Sequence, residues 1–341
     1  MLARVLLAAV AGLAAWPANS YALTIVTRGE ATQAAIAEAY LPPFTAATDV
    51  QVHQDTWDGN MDTLRTKATE AGWDIVQVNA DELAAGCNDG LFEKLDWSAI
   101  GGKDHYPGMA VSDCGVGATL HTTVLAWDRD KFQATPTWAD FWDVAKIPGK
   151  RGLAKSVRGA LEFALMADGV APGDVYKTLG SSDGVDRAFR KLDQLKPYIV
   201  WWQTPAEAAK ILGSGDVLMT ATPSSVVAMA NGAEKRNFGV QFAGSLYEPL
   251  SWVIMKGGQN LRDAQQFLYI TGATSLEARL FRMSGEIGLA KNVNDWLTPE
   301  QQALSPTFPA NANVALRVDN GFWHDNLAKL RTRFEAWLAA Q

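Results

Sequence analysis

From Leu23 onward the chain alternates short apolar segments with longer segments of helical spacing, and that rhythm restricts the fold more than any other feature. "LTIVT" reads as a strand, and "EATQAAIAEAYLPPFTAAT" carries an Ala-rich helix behind it. "VQVHQ" is the next strand, "NMDTLRTKATEAG" a helix, and "WDIVQVN" a buried strand. Strand–helix–strand units of this kind predict a parallel sheet with helices on both faces. Ligands on such sheets bind beyond the carboxyl ends of the strands, so the loops after each strand are the first place to look for a site. A β-rich run at 115–132 and a second at 238–258 are long enough to pass from one unit into another. The chain has 341 residues, enough for two cores, and two lobes joined by two long strands fit the pattern. The last segment, "FWHDNLAKLRTRFEAWLAA", predicts an amphipathic helix with Leu327, Leu330, Phe334 and Leu338 on one stripe.

The first 22 residues read differently. Arg4 precedes an apolar stretch over residues 5–16, then Pro17, with Ser20 and Ala22 as small residues before a cleavage point. This predicts a cleavable secretory signal over residues 1–22; the apolar run is short for a membrane span. Its removal takes one Arg from a net charge of −7, leaving −8. An acidic chain with scattered cations excludes the basic stripe that nucleic acid requires. Cys87 and Cys114 are the two cysteines, and in an exported chain they predict one disulfide.

No catalytic pattern stands out. The four histidines, His53, His105, His121 and His324, lack metal-ligand spacing, and there is no P-loop or dinucleotide fingerprint. "GSSDG" around Ser182 matches G-x-S-x-G, the pattern of a serine hydrolase, but that motif needs a strand before the Ser and a helix after it. Here helical segments flank it on both sides, so it reads as a helix–helix loop. No enzymatic activity, metal or cofactor is expected.

One stretch runs against rule. "GKRGLAKSVRG" places Lys150, Arg151, Lys155 and Arg158 ahead of an apolar helical run, where the helix dipole favours acids. Either these charges are solvated or they line an anion site.

Six pieces in order resemble the bacterial spermidine/putrescine-binding proteins, the polyamine receptors of ABC importers among the family 1 extracellular solute-binding proteins. They are "PPFTAATDVQV", "WDIVQVN", "GLFEKLD", "DCGVGATLHTTVLAWDRDKF", "TWADFWDVAKIPGKRGL" and "ILGSGDVLMTATPSSVVA". The resemblance implies a type II periplasmic binding protein: two α/β lobes, each a mainly parallel sheet flanked by helices, joined by two crossover strands. Residues 23–124 with 252–300 would form one lobe, and 125–251 with 301–341 the other. It also implies a periplasmic monomer that captures a small nitrogenous ligand by hinge closure. The partners would be an inner-membrane permease and its ATPase; a sensory receptor is the alternative within that fold.

Carried over residue by residue, the resemblance places Arg28, Gly29 and Glu30 in the first ligand loop, Trp57 and Asp58 in the second, and Asn79 and Asp81 in the third. In the second lobe it places Ser156 and Gly159 where polyamine receptors have acids, with Arg158 adjacent, and leaves Thr222, Ser224 and Glu248. Gln203, after the tandem Trp201 and Trp202, is a further candidate, and one of these rings would line the cleft. Arg28 could instead pair with Glu30 at the rim. Lys150 and Arg151 read as surface charges. With acids lost and two Arg gained, an amphoteric ligand bearing an amine and an acid group is favoured over a plain polyamine, because paired Arg can hold a carboxylate while Trp57 could face an amine.

Overall fold

The computed structural model describes residues 22–340 apart from residue 71; the expected signal segment, save Ala22, lies outside the described residues. Strands β1 (Leu23–Thr27), β2 (Val52–Thr56), β3 (Ile75–Val78), β4 (Gly115–Asp128), β5 (Arg151–Ala154), β6 (Ile199–Trp202), β7 (Met219–Pro223), β8 (Phe238–Ile254) and β9 (Leu316–Arg317) join in one sheet. Their order is β2-β1-β3-β8-β4-β7-β5-β6, with β9 beside β8. β1 pairs in parallel with β2 and β3, and β5 in parallel with β6 and β7. β4 and β8, of 14 and 17 residues, run antiparallel to each other through the middle and serve both parallel sets. They are the two crossover strands. Their ladder is interrupted between Gly117 and Leu120 and again between Thr123 and Leu125.

Separate cores form on either side of those interruptions. One gathers Ile25, Tyr40, Phe44, Trp252 and Phe267 with the apolar faces of helices Glu30–Thr48 and Leu261–Thr271. The other gathers Trp127, Phe141, Leu161, Leu192 and Trp323 with helices Ser182–Leu195 and Asn320–Ala339. The C-terminal stripe is buried as its spacing predicts at Leu330 and Phe334, with Leu327 and Leu338 partly buried against the same core. Segment 301–312, expected with the second lobe, lies against the first core instead. Leu304 packs there, and Ser305 Oγ donates to Asn294 at 2.8 Å.

Cys87 and Cys114 are bonded, tying helix Ala80–Asn88 to the start of β4 across 27 residues of sequence. Ser182 opens helix Ser182–Leu195 directly after helix Val175–Leu179, so the strand that a nucleophile elbow requires is absent at this position. Arg151 corrects the reading of the basic stretch. Lys150 is exposed, but Arg151 is fully buried. It donates to the carbonyls of Phe141 (2.7 Å), Ile147 (2.7 Å) and Gly149 (2.8 Å), closing the turn after helix Trp138–Trp142. Burial pulls its pKa down to about 10.

Candidate functional site

A cleft of about 670 Å³ opens between the two halves at the carboxyl ends of the parallel strands. Its walls are built by the loop after β1, the ends of β3 and β7, and the middle of β4 and β8, as the sheet topology dictates. Of the residues singled out in the sequence, Arg28, Asn79, Ser224 and Glu248 line it. Gln77, His121, Thr122 and Glu286 line it as well and were not anticipated.

Arg28 follows β1 and is held from two sides. Glu82 takes its Nη2, and the guanidinium stands 5.3 Å from the centre of the Trp57 ring. Glu82 is the missed residue that organises this corner. It stands at the third position of helix Ala80–Asn88 and accepts from the Asn79 backbone N–H at 2.8 Å, while Asn79 Oδ1 accepts from the Glu82 N–H at 2.9 Å. That reciprocal cap is visible in the sequence as N-x-x-E ahead of a helix, and its second carboxyl oxygen is then free for Arg28. The Glu30 side chain, expected as a rim partner of Arg28, lies outside the described residues.

Trp57 is buried, with its indole N–H donating to Gln77 O at 3.1 Å and its ring edge-on to Trp73 at 6.1 Å. It backs Arg28 rather than facing the cleft. Gly29 and Asp58 are exposed, and Asp58 Oδ1 caps the Asn60 N–H at 2.9 Å. Gln203 is exposed, with its N–H on Glu207 at 2.6 Å. The tandem rings before it, one of which was expected in the cleft, both lie in packing and neither lines it: Trp202 donates to Ala221 O at 3.0 Å, and Trp201 packs on Phe334 and Trp337. Thr222 is fully buried on β7, its hydroxyl without a partner.

The loop after β5 departs from helical geometry. Helix Val157–Ala167 contains Arg158 at φ −68°, ψ 127° and Gly159 at φ 91°, ψ −50°, so regular helix begins only after Gly159. A glycine is needed there because the positive φ is strained for other residues. Arg158 is directed toward carboxylates. Its Nη2 meets Asp81 Oδ2 at 3.1 Å, and its Nη1 lies 3.9 Å from Glu248 Oε2. Ser156, before the kink, makes no side-chain cap.

Among the described residues, buried polar atoms at the cleft without a hydrogen-bond partner include Arg28 Nε, Gln77 Oε1, Thr122 Oγ1 and Glu248 Oε2. Buried polar groups are normally paired, and leaving one unpaired costs about 1–3 kcal/mol. Donors and acceptors of both charge signs are therefore presented together. Deeper in the cleft, Thr32 donates to Glu286 at 2.8 Å. Burial raises the Glu286 pKa, against the opposing pull of Thr32 and His121. At the far rim the halves meet where Gly285 (φ +71°) packs against Ser225 and Ala228, too closely for a side chain.

A two-lobed α/β molecule with a polar interlobe cleft, no metal-ligating cluster among its described residues and two shared crossover strands has the form of a solute receptor. The chain belongs to the bacterial extracellular solute-binding protein family, whose model matches residues 39–316. A relative from Pseudomonas aeruginosa, a gamma-aminobutyric acid-binding protein, is 38% identical over 98% of this chain and 96% of its own. Among solved structures, an ABC transporter substrate-binding protein from Bradyrhizobium japonicum superposes with TM-score 0.81 at 30% identity, covering 93% of this chain and 99% of that one. A GABA receptor superposes with TM-score 0.82 at 27% identity, covering 94% and 98%. The architecture is that of these two-lobed binding proteins.

Proposed function

We propose that the chain is a periplasmic receptor that captures a small amine–carboxylate zwitterion, of the γ-aminobutyrate kind, for an inner-membrane ABC permease and its ATPase. The observation that carries this reading is a pair of atoms on charged groups in one cleft that lack hydrogen bonds, Arg28 Nε and Glu248 Oε2. A ligand carboxylate on Arg28 and an ammonium on Glu248 would satisfy both, and charge-assisted hydrogen bonds of this kind are the stronger ones. Gln77 and Thr122 offer neutral partners between them. The GABA-binding relatives support the same ligand class. A plain diamine would satisfy Glu248 and leave Arg28 Nε without a hydrogen bond.

In this reading residues 23–124 with 252–312 form one rigid lobe and the rest the other. They close about the interrupted ladder of β4 and β8, and the receptor acts as a monomer without catalysis of its own. Isothermal titration of the mature protein with γ-aminobutyrate, 5-aminovalerate, glutarate and putrescine tests the proposal. Binding of the two amino acids alone is expected, and Arg28→Ala weakens it by about 1.5–3 kcal/mol. Binding of putrescine in preference to both amino acids would overturn the reading.

A further inference from the structure

We propose that Arg158 and Asp81 form a latch across the cleft that sets how long the closed receptor holds its ligand. The proposal deepens the receptor reading and depends on it only for its ligand measurement. Asp81 stands in the first turn of helix Ala80–Asn88, which follows β3, and Arg158 follows β5. Strands β8, β4 and β7 lie between β3 and β5 in the sheet, so the 3.1 Å contact joins one half of the molecule to the other. Among the described residues, the other ion pairs lie within one half or involve the shared strand β8.

The cation is held in place for this contact. Glu162, fully buried, accepts from the Gly159 N–H at 2.8 Å, from Trp323 Nε1 at 2.8 Å and from the Tyr176 hydroxyl at 3.0 Å. The first bond fixes the kink that directs Arg158 toward Asp81. The second fixes the indole whose ring centre lies 5.5 Å from the Arg158 guanidinium. Trp323 belongs to helix Asn320–Ala339, which itself runs beside helix Ala80–Asn88 of the opposite half. Arg158 therefore enters the seam with its backbone pinned and its stacking face supported, so little side-chain freedom remains to be lost when Asp81 arrives. Both side chains keep partial exposure, 21% and 26%, so the pair can form and part as the halves move without stranding a charge in a dry interior. Glu248, at 3.9 Å, is the alternative partner on a strand common to both halves. A ligand ammonium occupying Glu248 leaves Asp81 as the carboxylate available to Arg158, which links occupancy to latching.

The test uses Asp81→Asn, Arg158→Gln and the double variant. Small-angle scattering of each ligand-free protein reads closure, and stopped-flow reads γ-aminobutyrate release. Each single variant is expected to raise the radius of gyration, with no further rise in the double variant, because both changes remove one contact. Release should quicken about tenfold in each while association changes little. Unchanged scattering in the single variants, additive effects in the double variant, or an unchanged release rate would overturn the latch. If the wild-type protein fails to bind γ-aminobutyrate, the ligand assignment falls, and the scattering of the ligand-free variants still decides the latch.

Discussion

Arg151 and Arg158 come from one basic stretch of eleven residues at 149–159 and end in opposite surroundings. The first is fully buried beneath three carbonyls; the second reaches across the cleft to a carboxylate. Charge sign alone does not separate these fates, because both are decided by acceptors that are far away or on the backbone. Replacing Arg151 by Met should cost on the order of 3 kcal/mol, since three buried carbonyls lose their donors. Arg151→Lys should lose less, a single ammonium reaching fewer of them. Urea unfolding of the three proteins measures this, and equal stability of all three would contradict the role assigned to Arg151. The site was legible in the same uneven way. Arg28, Asn79 and Ser224 follow from strand ends, Glu248 lies within β8, and all four line the cleft. Trp57, expected to face a ligand, is buried instead, because a sequence does not say which face of a ring is covered by Trp73. Glu82 was overlooked although its capping pattern is local and readable.

Elements were easier to read than contacts. The two long β-rich runs correspond to β4 and β8, and the strand–helix alternation to the parallel sets on either side. β2 begins at Val52 rather than two residues earlier, because its partner Leu23 fixes the register through the ladder with β1. Segment 301–312 departs from its expected lobe for a reason of the same kind. Its attachment to Asn294 through Ser305 and Gln302 is made by short polar side chains with no periodic signature. The disulfide belongs to this scale too, since it fastens a whole helix, Ala80–Asn88, that carries Glu82 and Asp81. Closing 27 residues should contribute about 3 to 4 kcal/mol in the chain-entropy picture. Reducing the protein with dithiothreitol should therefore lower the melting temperature, and the Cys87→Ala, Cys114→Ala protein should show no such response. A wild-type melting temperature indifferent to reductant would remove the disulfide from the stability account.

At the scale of the whole molecule, burial raises the pKa of three carboxyls, Glu162, Glu277 and Glu286. Raised folded-state values mean that the fold binds protons more tightly than the unfolded chain, so their contribution is fully present below the ordinary value of 4.5 and is lost as pH rises through the folded values. The exposed acids held low, such as Asp140 on the Thr137 cap, weaken the fold only as pH falls through their own depressed values, below the ordinary 3.8. Stability should thus increase as pH is lowered from about 8 to about 5, with proton uptake. The urea midpoint at the two pH values gives the sign, and Glu277→Gln should shrink the difference. A lower midpoint at the acidic value would refute this assignment.

The path of the chain through the two cores carries one more consequence, for how the protein is made. The first core needs Leu23 and Ile25 as well as Phe267 and Phe281. The second starts at Leu125 yet is sealed by Trp323, Leu330 and Phe334 near the other terminus. Neither hydrophobic interior can be completed from a nascent fragment, and contacts so distant in sequence are slow to form. Under the periplasmic reading proposed above, that delay keeps the polypeptide extended and fit for threading through a translocation channel until its closing helix has emerged.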